Sequence, residues 1–164
     1  RPKMPSVPDV EIDKYTLTAS VENISDSRTD QIQFAIFDDN GKIDQAAARV
    51  ISRRATYTTQ VAPGGRYRVL CRAMNVVGSG ASYSDWTDLS EAVYAVPSPP
   101  EAITTIRGSS STSVYLAWTE VASADTYEIE YTTNANYFDG SSETTTVSDI
   151  ELTHYEVTGL ETGD

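Results

Sequence analysis

The chain holds one histidine, His154, and one cysteine, Cys71, so nucleophilic chemistry would have to be assembled from few parts. A hydrolytic nucleophile needs a base in contact with it and an acid to orient that base. His154 lies between Thr153 and Tyr155 with no second histidine to work with, and reads as a surface or packing residue of a strand. Cys71 stands in the alternation Tyr67, Val69, Cys71, Ala73, which makes it a small buried hydrophobe rather than a reactive thiol; alone, it also rules out an internal disulfide. Glycosidase chemistry requires two carboxylates across a sugar cleft, but the acids here fall at turns or on outward strand positions such as Glu128 and Glu130. Asp38-Asp39-Asn40-Gly41 has some of the composition of a calcium loop without its alternate ligand spacing or its distal glutamate. It reads as a hairpin turn, and Asp139-Gly140 reads as a turn on the same grounds. With no CxxC, HExxH or phosphate-cradling glycine loop, no catalytic residue, metal site or cofactor is expected. Asn23-Ile24-Ser25 is formally a glycosylation sequon.

What is left for recognition is aromatic. Tyr83, Trp86, Tyr94, Tyr137 and Phe138 are candidates for a sugar-stacking or protein-contacting surface, because aromatic rings supply contact area at low entropic cost. At least half of them are expected to serve strand packing instead. Arg49, Arg53 and Arg54 read as ordinary exposed charge, with pairing to an acidic neighbour as the alternative.

Charge narrows the partners. The formal net charge is −12, with 11 Lys/Arg against 12 Asp/Glu in residues 1–97 and only Arg107 against 12 acids in residues 98–164. Such a surface repels phosphate backbones and anionic lipid, so neither nucleic acid nor membrane insertion is expected. No apolar run approaches the ~18 residues of a membrane span. The chain does not begin with Met and reads as an excerpt of a longer protein.

The elements that would position these residues are strands. Ser and Thr contribute 38 residues, and ten of the fifteen aromatics are Tyr, a composition suited to half-buried sheet. Pro-rich stretches at Arg1 to Pro8 and Val96 to Pro100 mark the entries to two modules, since proline cannot sit inside a central strand. Between them run alternating segments: Tyr15 to Val21, Ile32 to Ile36, Tyr57 to Val61 and Tyr67 to Ala73. After Pro100 the order begins again with Val114 to Trp118, Tyr127 to Tyr131, Thr144 to Val147 and Tyr155 to Leu160. Two all-β modules are therefore expected, at 1–97 and 98–164.

The wording of these segments is specific. Val114-Tyr115-Leu116-Ala117-Trp118, Tyr127-Glu128-Ile129-Glu130-Tyr131 and Tyr155 through Gly163 resemble a fibronectin type III domain, whose tryptophan ends strand B and whose Gly-Leu-x-x-Gly run leads strand E into strand F. In the first module Val61-Ala62-Pro63-Gly64-Gly65-Arg66-Tyr67 matches the same corner, and Tyr83-Ser84-Asp85-Trp86-Thr87 resembles the Ser-x-Trp-Ser segment that opens strand G. The resemblance implies tandem immunoglobulin-like β-sandwiches, with Tyr67 as a tyrosine corner bonded back to the backbone. It is imperfect in two ways. Ala19 holds the place of the strand-B tryptophan in the first module, so that core must be filled differently. In the second, the corner tyrosine would fall six residues beyond Leu160, past Asp164, so strands F and G are expected to be missing, disordered or supplied by another chain.

Finer phrases, among them Ile12 to Ala19, Gly65 to Val69 with Ser84-Asp85-Trp86, and Tyr131 through Ser141, resemble the fibronectin modules of minor structural (tail) proteins of phages and prophages of Gram-positive bacteria. That resemblance implies a structural or spacer module of a virion tail, made in the bacterial cytoplasm. Its expected partners are other domains or subunits of the assembly and cell-surface carbohydrate. The alternative is an accessory module of a secreted polysaccharide-degrading enzyme or surface adhesin.

Overall fold

The computed structural model describes residues 1–133 and 144–161, and its regular elements are all strands. By internal contacts the chain divides into two compact units, Arg1–Val96 and Pro97–Asp164. No helix among the described residues is long and apolar enough to cross a membrane.

In the first unit, β1 (Asp9–Asp13), β2 (Thr16–Val21) and β5 (Ala55–Gln60) form a three-stranded sheet in the order β1-β2-β5. A second sheet runs β4 (Gly41–Arg49), β3 (Gln31–Asp38), β6 (Arg66–Val77), β7 (Gly80–Tyr83), with β8 (Val93–Tyr94) pairing the start of β6. Every ladder is antiparallel. Period-two alternation sends Leu17, Ala19 and Val21 from β2, Ile32, Phe34 and Ile36 from β3, and Tyr67, Val69, Cys71 and Ala73 from β6 into one core, all 2% exposed or less. Slipping any of these strands by one residue would turn its whole apolar set to water.

The core is filled around Ala19 by rings from elsewhere. Phe34 is fully buried in the same cluster and stacks on Tyr57, with centroids 6.3 Å apart and planes at 20°. Tyr57 is the cross-strand partner of Ala19. Its hydroxyl donates to the Asp44 carboxylate on β4 at 2.6 Å, tying the edges of the two sheets together. That bond holds the Asp44 carboxyl below its ordinary range and pushes the Tyr57 phenol up.

The hairpin joining β3 to β4 is the Asp38–Gly41 turn. The Asp38 carboxylate accepts the amides of Asn40 at 2.7 Å and Gly41 at 3.0 Å, and Gly41 has φ 133°, a conformation open to glycine. Strand β4 itself was not expected, because Gly-Lys-Ile-Asp-Gln-Ala-Ala-Ala-Arg has no apolar period of two.

The tyrosine corner forms as the resemblance implies. Tyr67 donates its hydroxyl to the Ala62 carbonyl at 2.9 Å, and its ring lies so close on Gly65 that any side chain there would collide. Removing only the hydroxyl, in Tyr67→Phe, leaves the Ala62 carbonyl with only the longer bond from the Gly65 amide at 3.4 Å and should lower the stability of this unit by about 1 kcal/mol. Urea denaturation followed by near-ultraviolet circular dichroism measures it.

In the second unit, β9 (Ile103–Arg107), β10 (Val114–Trp118) and β13 (His154–Val157) form a sheet in the order β13-β10-β9, while β11 (Tyr127–Tyr131) pairs β12 (Thr145–Ile150). Trp118 ends β10, as the resemblance implies, and meets the Tyr127 ring edge-on at 5.5 Å. With Ile129, Ile150 and Val157 it makes a core of four buried residues, ringed by half-buried Leu116, Tyr127, Tyr131, Val147, Tyr155 and Leu160. Among the described residues β11 is paired on one side only, and the buried Trp118 Nε1 finds no acceptor. The 108–113 loop is clasped by Glu156, which accepts the Ser109 amide at 2.6 Å and the Ser113 hydroxyl at 2.8 Å. Bonds from Ser109 above all, then Ser113, keep that carboxyl below its ordinary range.

Candidate functional site

Because alternate β6 residues enter the core, the others, Arg66, Arg68, Leu70, Arg72 and Met74, form the outer face of the larger sheet. Their cross-strand neighbours on β3 include Phe37 opposite Arg68 and Gln33 opposite Arg72. Arg72 donates through Nε to Gln33 Oε1 at 2.8 Å, and its guanidinium lies 3.8 Å from the Tyr83 ring centroid and 4.4 Å from that of Trp86. Tyr83 and Trp86 are thus brought together, each half-buried and each with a face engaged by the cation between them.

Trp86 is held there by the segment 84–91, which follows β7 without pairing as a regular strand. Ser84, Thr87 and Ser90 recur every third residue, and each is bound twice to an alternate residue of β6. Their amides donate to the carbonyls of Ala73, Cys71 and Val69 at 3.0, 2.9 and 2.8 Å. Their hydroxyls accept the amides of the same three residues at 2.9, 3.0 and 3.0 Å. Each hydroxyl then donates to the next carbonyl along its own segment, at Asp85, Asp88 and Glu91. Three residues on one side therefore keep pace with two on the other, so the segment advances less per residue than a pleated strand does.

The N-terminal segment is fastened to the same unit. Arg1 donates to the Tyr83 carbonyl at 2.8 Å and pairs with Asp85, while the Lys3 amide donates to the Asp26 carboxylate at 2.6 Å. Between this segment and the loop after β2 is a cavity of about 290 Å³ floored by Val21, Ile32 and Ala73. The carboxylates on its wall, Glu22 and Asp26, are already paired with Arg54 and Arg28.

Tyr94 is placed differently. It is 66% exposed and registers opposite Arg66 at the end of the sheet. Two shallow depressions, of about 490 and 240 Å³, meet there and share Arg66, Arg68 and Leu89 as a common wall. Tyr137 and Phe138 lie outside the described residues, as does Asp139-Gly140. Arg53 donates to the Ile24 carbonyl at 3.4 Å and Arg54 pairs with Glu22 at 3.4 Å.

The side chains capable of chemistry are dispersed. Burial pushes the Cys71 thiol up to about 12, and its sulfur lies 3.5 Å from the Ser6 carbonyl. His154 stacks on Tyr115 at 5.5 Å, and Glu128 accepts the Ser148 hydroxyl at 2.6 Å. Among the described residues no three His, Cys, Asp or Glu side chains gather as metal ligands would. Sequence reasoning missed Arg72 as the organiser of Tyr83 and Trp86; its signal was the three-residue spacing of Ser84, Thr87 and Ser90.

No family model matches the chain, and no curated protein matches it. Among solved structures it is similar to a two-domain fibronectin type III segment of chicken tenascin, at 17% identity and TM-score 0.46, covering 98% of this chain and 86% of that one. It is also similar to the FN1–FN3 domains of chicken CNTN1, at 14% identity and TM-score 0.43, covering 98% of this chain and 58% of that one.

Two outcomes follow from these placements. The amide bond from Lys3, then that from Arg28, brings the Asp26 carboxyl down from 3.8 to about 2. A carboxyl lowered in the folded state adds stability that is complete above its unfolded pKa and lost as pH falls through the folded one. The melting temperature should therefore drop as pH falls from about 5 to 2, and drop less steeply in Asp26→Asn, as differential scanning calorimetry would record. In the folded protein Cys71 should resist a thiol-reactive disulfide reagent at pH 8 and react at once in urea.

Proposed function

We propose that the chain is a non-catalytic structural module that spaces or displays neighbouring parts of a phage or prophage tail protein. The observation supporting the non-catalytic part is that the candidate groups are already engaged in holding the fold. Cys71 is buried with its proton held, and His154 is stacked on Tyr115. Asp38 caps a turn, Asp26 takes the Lys3 amide, Asp44 takes the Tyr57 hydroxyl and Glu156 clasps a loop. A nucleophile needs a free base beside it, and none of these groups offers that.

The spacer role is supported by the chain's construction. Two all-β units are joined where Pro97, Pro99 and Pro100 restrict the backbone, so reach would be set by folded length rather than by a flexible coil. The tail setting rests on the phrases around Ile12, Tyr67, Trp86 and Tyr131. On this reading the partners are other domains or subunits of the tail, with cell-surface carbohydrate at its tip, and the protein resides in the virion after synthesis in the bacterial cytoplasm.

The parent gene provides the first test, since a tail-hub or endopeptidase domain in the same reading frame is expected. Antibodies to the chain should decorate the tail tip in electron micrographs. A glycoside hydrolase preceded by a signal peptide in that reading frame, or unlabelled tails, would overturn the tail assignment.

A further inference from the structure

We propose that the paired depressions around Arg68 bind a neutral saccharide, with Tyr94 as the stacking platform and Arg68 and Glu91 as the groups that take its hydroxyls. The inference rests on the reading of the chain as non-catalytic and gives its carbohydrate contact a place.

The state of Arg68 is the first support. Its neighbour Arg66, two residues away on the same face, is held by Asp39 at 2.9 Å and registers opposite Tyr94. Arg68 has no hydrogen-bond or ion-pair partner among the described residues, although it lines both depressions. A planar guanidinium with its fork of donors unused is suited to paired oxygens.

The surroundings select among ligands that carry such oxygens. Asp38 and Asp39 line one depression and Glu91 the other, three carboxylates beside the two guanidiniums of Arg66 and Arg68, so a polyanion is disfavoured. The backbone leaves little room for an added peptide strand, because β8 pairs β6 at Arg66 and Tyr67, Ser90 bonds Val69 on that same side, and β3 pairs β6 on the other side from Arg68 onward. What fits is a ligand with neutral, vicinal donor–acceptor groups and an apolar face. A pyranose has both, with its hydroxyls in the ring plane and its C–H groups above and below. Tyr94, at 66% exposed, and Leu89, at 43% exposed, offer apolar surface for that face. Arg68 donates to hydroxyl oxygens and Glu91 accepts from hydroxyl protons, so both lone pairs and protons of the sugar are served. The sharing of Arg66, Arg68 and Leu89 between the two depressions suits a chain of at least two sugar units rather than a monosaccharide.

The test is a ¹⁵N–¹H correlation titration of the 164-residue chain with cellohexaose, chitohexaose and maltohexaose, and with polygalacturonate as the anionic comparator. At least one neutral hexasaccharide should shift amides centred on Arg68, Leu89 and Tyr94. Its affinity should fall by about tenfold or more in Tyr94→Ala and in Arg68→Ala, hold within about twofold in Tyr94→Phe, and be unchanged in Arg49→Ala. The variants' own spectra report whether they fold. No shift with any of the three, shifts elsewhere, response to polygalacturonate alone, or binding that survives Tyr94→Ala or Arg68→Ala would overturn the proposal. Reducing ends measured in the same samples keep the two readings apart: new ends would overturn the non-catalytic reading, whereas absence of binding would overturn only the saccharide site.

Discussion

The first unit hangs on the antiparallel ladder between β3 and β6, which runs unbroken from Gln31 opposite Met74 to Phe37 opposite Arg68. It sets Ile32, Phe34 and Ile36 beside Ala73, Cys71 and Val69 on one side, and Gln33 beside Arg72 on the other. Both the core and the outer face are consequences of that single register. Strand β4 adds to β3, and β7, β8 and the 84–91 segment add to β6. With no disulfide to hold a misaligned pairing in place, this ladder and the apolar contacts beneath it must fix the register themselves.

The second unit shows what changes when a comparable pairing is shorter. Its β11 strand meets only β12 among the described residues, with a bulge between Tyr127 and Ile129. The four buried residues of its core are 4–8% exposed, whereas the largest buried side chains of the first unit are all below 2%. Trp118 carries much of the burial there but brings a polar N–H with it, and a buried donor with no acceptor among the described residues offsets part of what the ring gains. The same family resemblance thus covers two units with different internal support.

Much of this architecture was legible in the sequence because alternation reports burial directly. The interior of β2, β3 and β6 follows from Leu17, Phe34 and Cys71 standing in period two, and the corner follows from Pro63-Gly64-Gly65 ahead of Tyr67. Strand β4 was hidden because an edge strand is specified by its neighbour more than by its own residues, and Ala46-Ala47-Ala48 favours no sheet. The segment after Tyr83 reads as a strand from its resemblance, yet its side chains obey a period of three. Tyr83 and Trp86 were recognisable as a pair of aromatics, but the cation between them comes from Arg72, several residues earlier on the opposing strand, and such a partner shows only once the strands are aligned. Tyr94 needed the fold for the opposite reason: its exposure depends on standing at the end of the sheet.

The hydroxyl ladder has a consequence for life beside identical neighbours. The outermost strand of a sheet ordinarily leaves carbonyls and amides available to a passing chain. Along 84–91, the carbonyls of Asp85, Asp88 and Glu91 already accept the Ser84, Thr87 and Ser90 hydroxyls. Acidic side chains stand on those same three residues; that of Asp85 is paired with Arg1, and those of Asp88 and Glu91 would repel an approaching copy. Modules built this way can be crowded at high local concentration, or strung in series, with little tendency to exchange strands.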